Sequence, residues 1–77
     1  MATRTTLEVE QVSNSGNGYV WIAYIGDDAY AIPGTWSAHP KETTPADAAF
    51  ASIKAGWLAE GGTVKVIGRV DHEDYMW

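Results

Sequence analysis

Alternating apolar and polar residues predict a hairpin at the start of the chain. Between residues 7 and 12 apolar and acidic side chains alternate, beginning with Leu7 and Glu8, as in a half-buried strand. Residues 19–25 carry apolar side chains at both alternating sets of positions. Such a strand lies at the centre of a sheet, or its outer face is itself a binding surface. The turn-forming residues 13–18 connect the two strands.

A second hairpin arm and a loop are predicted next. The chain turns at residues 26–28 and returns as a strand at residues 29–32. Pro33-Gly34 ends this strand in a turn compatible with type II. Residues 35–43 are predicted to be mainly loop, with Trp36 on a short further strand.

The last predicted strand spans residues 63–70. Strict alternation would place Val64 and Val66 on one face, and Ile67 and Arg69 on the other.

One amphipathic helix is predicted from Pro45 to Glu60. Thr44 can accept hydrogen bonds from the first helical N–H groups, and proline suits the first helical position. Asp47 follows three residues after the cap, where its charge favours the positive end of the helix. Gly61-Gly62 ends the predicted helix. Its apolar stripe, at spacings of three and four, is Ala46, Ala49, Phe50, Ile53 and Trp57.

These elements predict an α+β fold: a three- to four-stranded, mostly antiparallel sheet with the helix packed on one face, in the order β-β-β-α-β. Seventy-seven residues make one domain. Residues 1–6 are expected to form a flexible, polar lead-in and residues 71–77 an acidic and aromatic tail. Phe50 and Trp57 are expected in the core. The pattern leaves open which sheet face remains uncovered.

Composition and charge exclude several classes of protein. Hydrophobic residues make up 45% of the chain, which is too many for a disordered protein. The net charge of −5 and five scattered bases argue against direct binding of nucleic acid, and they fit a partner with a basic surface. No apolar run approaches the roughly 20 residues that cross a bilayer, and the first residues lack the apolar core of a signal peptide. A cytoplasmic protein without membrane contact is expected.

Catalytic and metal-binding patterns are absent from the sequence. His39 lies in the predicted loop and His72 in the acidic tail, and there is no cysteine. The serines lack a nucleophile-elbow context. The acidic residues do not follow the spacing of a calcium loop. We therefore expect no enzyme activity, no cofactor and no metal site.

The aromatic residues are the strongest candidates for partner contact. The chain holds nine of them, and a domain with one helix cannot bury all nine. Tyr19 and Trp21 lie on one face of their strand and Tyr24 on the other, so one set faces away from the helix. The alternative is that these rings complete a thin core. The residues predicted to contact a partner are Tyr19, Trp21, Tyr24, Asp27, Asp28, Asp71, Glu73, Asp74, Tyr75 and Trp77.

Several motifs occur in an order known from one family. They are Gly18-Tyr19-Val20-Trp21, then Pro33-Gly34, then Thr44-Pro45-Ala46-Asp47-Ala48 running to Trp57-Leu58. In this order they resemble the small β-β-β-α-β domain of the antitoxins in Hic-type toxin–antitoxin pairs. The resemblance covers residues 18–66; this chain has a longer loop before the helix and shows no separate DNA-binding segment. It implies a protein that binds and blocks a nuclease-type partner.

Size and acidity also fit the small phage-encoded inhibitors of host defence, such as anti-CRISPR proteins. The predicted function is a non-enzymatic protein-binding module that inhibits or neutralises a macromolecular partner. That partner would be a protein with a basic, nucleic-acid-binding surface. The alternative is a structural or self-assembling phage or accessory protein, a homo-oligomer whose apolar face is buried against its own copies.

Overall fold

The computed structural model describes residues 4–13 and 18–69 of the chain. Among these residues, four strands form one mostly antiparallel sheet, and one helix packs on one of its faces. This confirms the predicted α+β fold and the order β-β-β-α-β. The elements are β1 (Thr6–Ser13), β2 (Tyr19–Ile25), β3 (Asp28–Ala31), α1 (Pro45–Lys54) and β4 (Thr63–Arg69).

The strands lie in the order β3-β2-β1-β4. The first three are successive antiparallel strands, in which Val9 pairs with Ala23 and Ala23 with Tyr30. β4 pairs with β1 in parallel, so that Val9 also lies beside Val66. Parallel neighbours need a crossover connection, and the segment that contains α1 supplies it. The sequence predicted these elements without predicting the parallel pair.

The core lies between the sheet and α1. Leu7 and Val9 are both buried, as the alternation in β1 predicted. The helix enters the core through Ala48 and Ser52, and the Ser52 hydroxyl donates to the Ala48 carbonyl at 2.7 Å. These small side chains let the helix backbone lie close to the sheet. The buried apolar residues of the core are Leu7, Val9, Trp21, Ala23, Ile32, Ala48 and Leu58.

The helix begins as predicted. Pro45 is its first residue, and Thr44 is the N-cap. The Asp47 backbone N–H donates to the Thr44 hydroxyl at 3.4 Å, and the Thr44 backbone N–H donates to the Asp47 carboxylate at 2.7 Å. These two bonds form a capping box, which satisfies donors that the first helical turn leaves free.

The prediction that Phe50 lies in the core is wrong, because its side chain is 67% exposed. Phe50 is two residues from both Ala48 and Ser52, and two residues of an α-helix turn through about 200°. It therefore lies almost opposite the buried face. Trp57 is half-buried against the core, and its ring centroid lies 5.8 Å from that of Tyr30.

The predicted end of the helix at Glu60 is also wrong. The helix ends at Lys54 with Ala55 as C-cap. The backbone N–H of Trp57 still donates to the Ser52 carbonyl at 2.9 Å, so the chain makes one wider turn before leaving the helix. Because the helix ends at Lys54, the following segment can place the large side chain of Leu58 in the core. The small buried residues of α1 do not fill that space.

A bulge in β4 changes the predicted faces of its last residues. Val9 pairs with Val66, but the next residue of β1, Glu10, pairs with Gly68. Ile67 is therefore the extra residue, and alternation restarts after it. Arg69 pairs with Gln11, a buried residue on the helix side. The prediction that Arg69 lies on the face opposite Val66 is wrong for this reason.

Two local predictions need correction. Residues 4–6 are not a free lead-in, because the Arg4 carbonyl accepts from the Ala59 N–H at 2.8 Å and Thr6 begins β1. Residues 1–3 lie outside the described residues. Trp36 does not lie on a strand, but Ser37 beside it forms an isolated bridge with Tyr19 through bonds of 2.7 and 2.9 Å.

Candidate partner-binding surfaces

The structure resolves which face of β2 is exposed. Tyr19 and Trp21 lie under α1 and the loop before it, at 0% and 2% exposure. The Trp21 indole N–H donates to the carbonyl of Thr43 at 3.3 Å, which ties the ring to that loop. The expectation that these two residues form an exposed contact surface is therefore corrected. Tyr24 lies on the other face.

The face of the sheet opposite α1 is an open surface with an apolar centre. The strand register places Val20, Ile22 and Tyr24 on this face. No second helix or sheet among residues 4–13 and 18–69 lies over them. We call this surface the outer sheet face; its residues on β1, β2 and β3 are Glu8, Glu10, Val12, Val20, Ile22, Tyr24, Ala29 and Ala31.

One hydrogen bond fixes the polar groups of the outer sheet face. The Tyr24 hydroxyl donates to the carboxylate of Glu10 at 2.5 Å. The two residues are diagonal neighbours, since Tyr24 pairs directly with Glu8. The bond raises the pKa of the Tyr24 phenol above its ordinary value of 10.0. The carboxylate accepts a hydrogen bond from the protonated hydroxyl only, so it stabilises the protonated form. Tyr24 therefore holds a carboxylate in a defined position beside the apolar centre.

Carboxylates dominate the charge around this face. Glu8 and Glu10 lie on β1, and the exposed residues Asp27 and Asp28 lie at the tip of the β2–β3 hairpin. Lys65 of β4 is the cross-strand neighbour of Glu8. Of the predicted contact residues, Tyr24 lies on the outer sheet face and Asp27 at the hairpin tip. Asp28 pairs with Ile25 and accepts a hydrogen bond from the Tyr30 hydroxyl at 3.4 Å, so it lies on the helix side of the sheet. The others lie outside the described residues: Asp71, Glu73, Asp74, Tyr75 and Trp77.

The sequence did not reveal a groove between β4 and the loop before α1, which we call the β4 groove. Its volume is about 520 Å³. Val66 and Ile67 form its apolar wall on β4 and are 43% and 45% exposed. Pro40 and Lys41 line the opposite side. The bulge at Ile67 creates this wall. A glycine inside a strand signals a bulge, and Gly68 directly follows the extra residue.

A second groove lies beside the helix, with a volume of about 550 Å³. It runs between the Pro33-Gly34 turn and the exposed side of α1, where Phe50 and Lys54 line it. The Lys54 ammonium lies 5.8 Å from the Phe50 ring centroid, which is within the range of a cation–π contact. This contact shields part of the exposed ring.

Two kinds of feature, a metal-binding cluster and a membrane-spanning helix, are not found among the described residues. Within residues 4–13 and 18–69, no three His, Cys, Asp or Glu side chains are grouped so that they could share a metal ion. No described helix has the length and apolar character needed to cross a bilayer. Comparisons of the chain with protein-family models, curated proteins and solved structures found no match.

Proposed function

We propose that this chain is a non-enzymatic protein-binding module that inhibits or neutralises a macromolecular partner through its outer sheet face. One observation carries the proposal: the outer sheet face combines an apolar centre, over which no described helix or strand lies, with the carboxylates of Glu8 and Glu10 at its border. Antiparallel sheets that face water on one side usually alternate polar residues outward. Here Val20 and Ile22 occupy outward positions at the centre of the face, where burial against a partner would be favourable.

The charges favour a basic partner. Glu8 and Glu10 border the apolar centre, Asp27 lies at the tip of the adjoining hairpin, and Lys65 is the base paired with Glu8. Such a surface is complementary to a protein that itself binds nucleic acid through lysines and arginines. Opposite charges would also speed the encounter at low salt. The motif order shared with Hic-type antitoxins supports a partner of the nuclease type, and we propose that the encounter takes place in the cytoplasm.

The same charges weigh against the alternative of self-assembly through this face. Two copies joined face to face by a two-fold axis would bring Glu8 and Glu10 of both chains into one interface. Like charges placed together in a desolvated contact are destabilising. A basic partner meets no such repulsion, so inhibition of another protein is the better account of this surface.

Paired variants with matched controls test the proposal. The tagged chain is used to capture its partner from an extract of the organism that encodes it, and the nuclease activity of the captured protein is measured with and without the chain. Glu8→Lys and Ile22→Ser alter the outer sheet face, and both should abolish capture and inhibition. The controls Glu60→Lys and Phe50→Ser change another exposed acid and an exposed apolar residue elsewhere. Equal capture by all four variants would refute binding through this face.

A further inference from the structure

The β4 groove adjoins an open edge of the sheet. β4 is the outermost strand on its side, and no described strand pairs with its far edge. Unpaired backbone groups on an edge strand can pair with an extended chain. Val66 and Ile67 lie on this strand and are nearly half exposed. Exposed apolar side chains thus occur beside a strand edge that no described strand occupies.

The charge of the groove is opposite to that of the rest of the protein. Lys41 and Arg69 line it, and none of the described residues that line it is acidic. The chain as a whole carries a net charge of −5. A second copy paired along this edge would place Lys65 and Arg69 of both chains along one seam, which is unfavourable. An acidic segment meets no such repulsion.

The base of the groove holds an unused hydrogen-bond acceptor. Gln11 lines the groove, is fully buried, and donates from Nε2 to the Pro40 carbonyl at 2.8 Å. Within residues 4–13 and 18–69, its Oε1 has no hydrogen-bond partner. An unsatisfied buried acceptor is unfavourable, so a ligand that brings an N–H donor to this point gains affinity. Because Pro40 fixes the orientation of the amide, Oε1 is presented as an acceptor only.

We propose that the β4 groove binds an extended acidic segment of the protein partner, one that carries an aromatic side chain. The aromatic ring lies against Val66 and Ile67, acidic residues on either side of it contact Lys41 and Arg69, and an N–H group of the segment donates to Gln11. This proposal rests on the proposed function, because it describes a second contact with the same partner.

Selection from a peptide library tests the chemistry directly. Randomised seven-residue peptides displayed on beads are panned on the full chain, and enriched peptides are titrated by isothermal calorimetry and by NMR. Enriched sequences should combine Asp or Glu with Trp, Tyr or Phe. Binding should shift the indole N–H resonance of Trp21, which lies at the groove. Lys41→Gln and Arg69→Gln should each weaken binding about two- to fivefold, as for partly exposed ion pairs. The matched control Lys54→Gln, which removes a cation from the other groove, should not.

Three results would overturn the assignment. The first is the absence of enriched peptides, or enriched peptides whose affinity is the same for Lys41→Gln and Arg69→Gln as for wild type. The second is enrichment only on a chain with Asp71→Asn, Glu73→Gln and Asp74→Asn, because the groove would then take the chain's own acidic segment. The third is a concentration-dependent dimer that Ile67→Ser abolishes, because a second copy would then be the occupant.

The proposed function can fail separately. If Glu8→Lys abolishes capture of the partner while Lys41→Gln and Arg69→Gln leave capture unchanged, the outer sheet face is the binding surface and only the groove assignment is wrong. If the groove variants abolish capture while Glu8→Lys and Ile22→Ser do not, the outer sheet face is wrong and the groove carries the contact.

Discussion

Gly18 lies where β2 approaches the loop before α1, and its replacement by alanine should be strongly destabilising. Its backbone φ is +127°, which side-chain-bearing residues rarely adopt. A Cβ added at this position would lie 2.2 Å from the Ser37 carbonyl oxygen and 2.4 Å from the Trp36 ring. Ser37 cannot simply retreat, because it holds Tyr19 through two backbone hydrogen bonds.

The magnitude follows from two contributions. Holding alanine at this φ costs about 1–3 kcal/mol. Displacing Ser37 breaks two hydrogen bonds that each contribute about 0.5–1.5 kcal/mol. Together the free energy of unfolding should fall by roughly 2–6 kcal/mol. Domains of this size are stabilised by roughly 4–12 kcal/mol in total, so Gly18→Ala should lower the melting temperature by about 8 °C or more.

Gly34→Ala is the matched control. Gly34 also has a positive φ, +77°, but an added Cβ there meets nothing within 4 Å. The control carries the backbone strain alone, roughly 1–2 kcal/mol. Urea unfolding followed by tryptophan fluorescence gives both free energies. If Gly18→Ala is no more destabilising than Gly34→Ala, the close contact with Ser37 does not constrain the fold, and the reasoning from the structure is wrong.

Three further predictions concern the helix and the outer sheet face. Phe50→Ser should change the free energy of unfolding by no more than about 0.5 kcal/mol, whereas Leu58→Ala should lower it by about 2–5 kcal/mol. Chemical denaturation in which Phe50→Ser proved the more destabilising of the two would contradict this. Thr44→Ala should lower the free energy of unfolding by about 1 kcal/mol, because the helix loses its N-cap side chain. An unchanged urea midpoint would show that the capping box contributes little. The raised pKa of Tyr24 means that its bond to Glu10 stabilises the fold below pH 10.0 and is lost as the pH rises through the folded-state pKa. An ultraviolet titration of wild type against Tyr24→Phe should therefore show one phenol ionising above pH 10, and a difference spectrum with an ordinary midpoint would refute the bond.

Local patterns in the sequence predicted the elements because each depends on neighbouring residues. The alternation of Leu7 and Val9 gave the inward face of β1, and Thr44 with Asp47 gave the start of the helix. The orientation of the helix depends instead on how closely it approaches the sheet. A stripe through Phe50 is as periodic as one through Ala48 and Ser52, so periodicity alone could not decide between them.

The candidate surfaces depend on pairing between distant segments, so only part of each could be predicted from local patterns. The alternation in β2 predicted two faces, but only the position of α1 determines that Trp21 is buried and that Tyr24 lies on the outer face. The β4 groove requires the parallel pairing of β4 with β1 and the bulge at Ile67. The parallel pairing leaves no mark in the local sequence. Gly68 signals a bulge nearby, but which residue is the extra one is defined by the partner strand.

The two surfaces meet at β4, and this arrangement constrains how one partner could use both. Lys65 is paired with Glu8 of the outer sheet face, and two residues later Ile67 forms the wall of the β4 groove. A partner that covers the outer sheet face near β1 therefore reaches the groove within the length of a short extended segment. Such a partner needs a basic surface followed by an acidic, aromatic segment. A partner of one charge throughout would be attracted by one surface and repelled by the other, so the arrangement favours proteins in which the two features lie side by side.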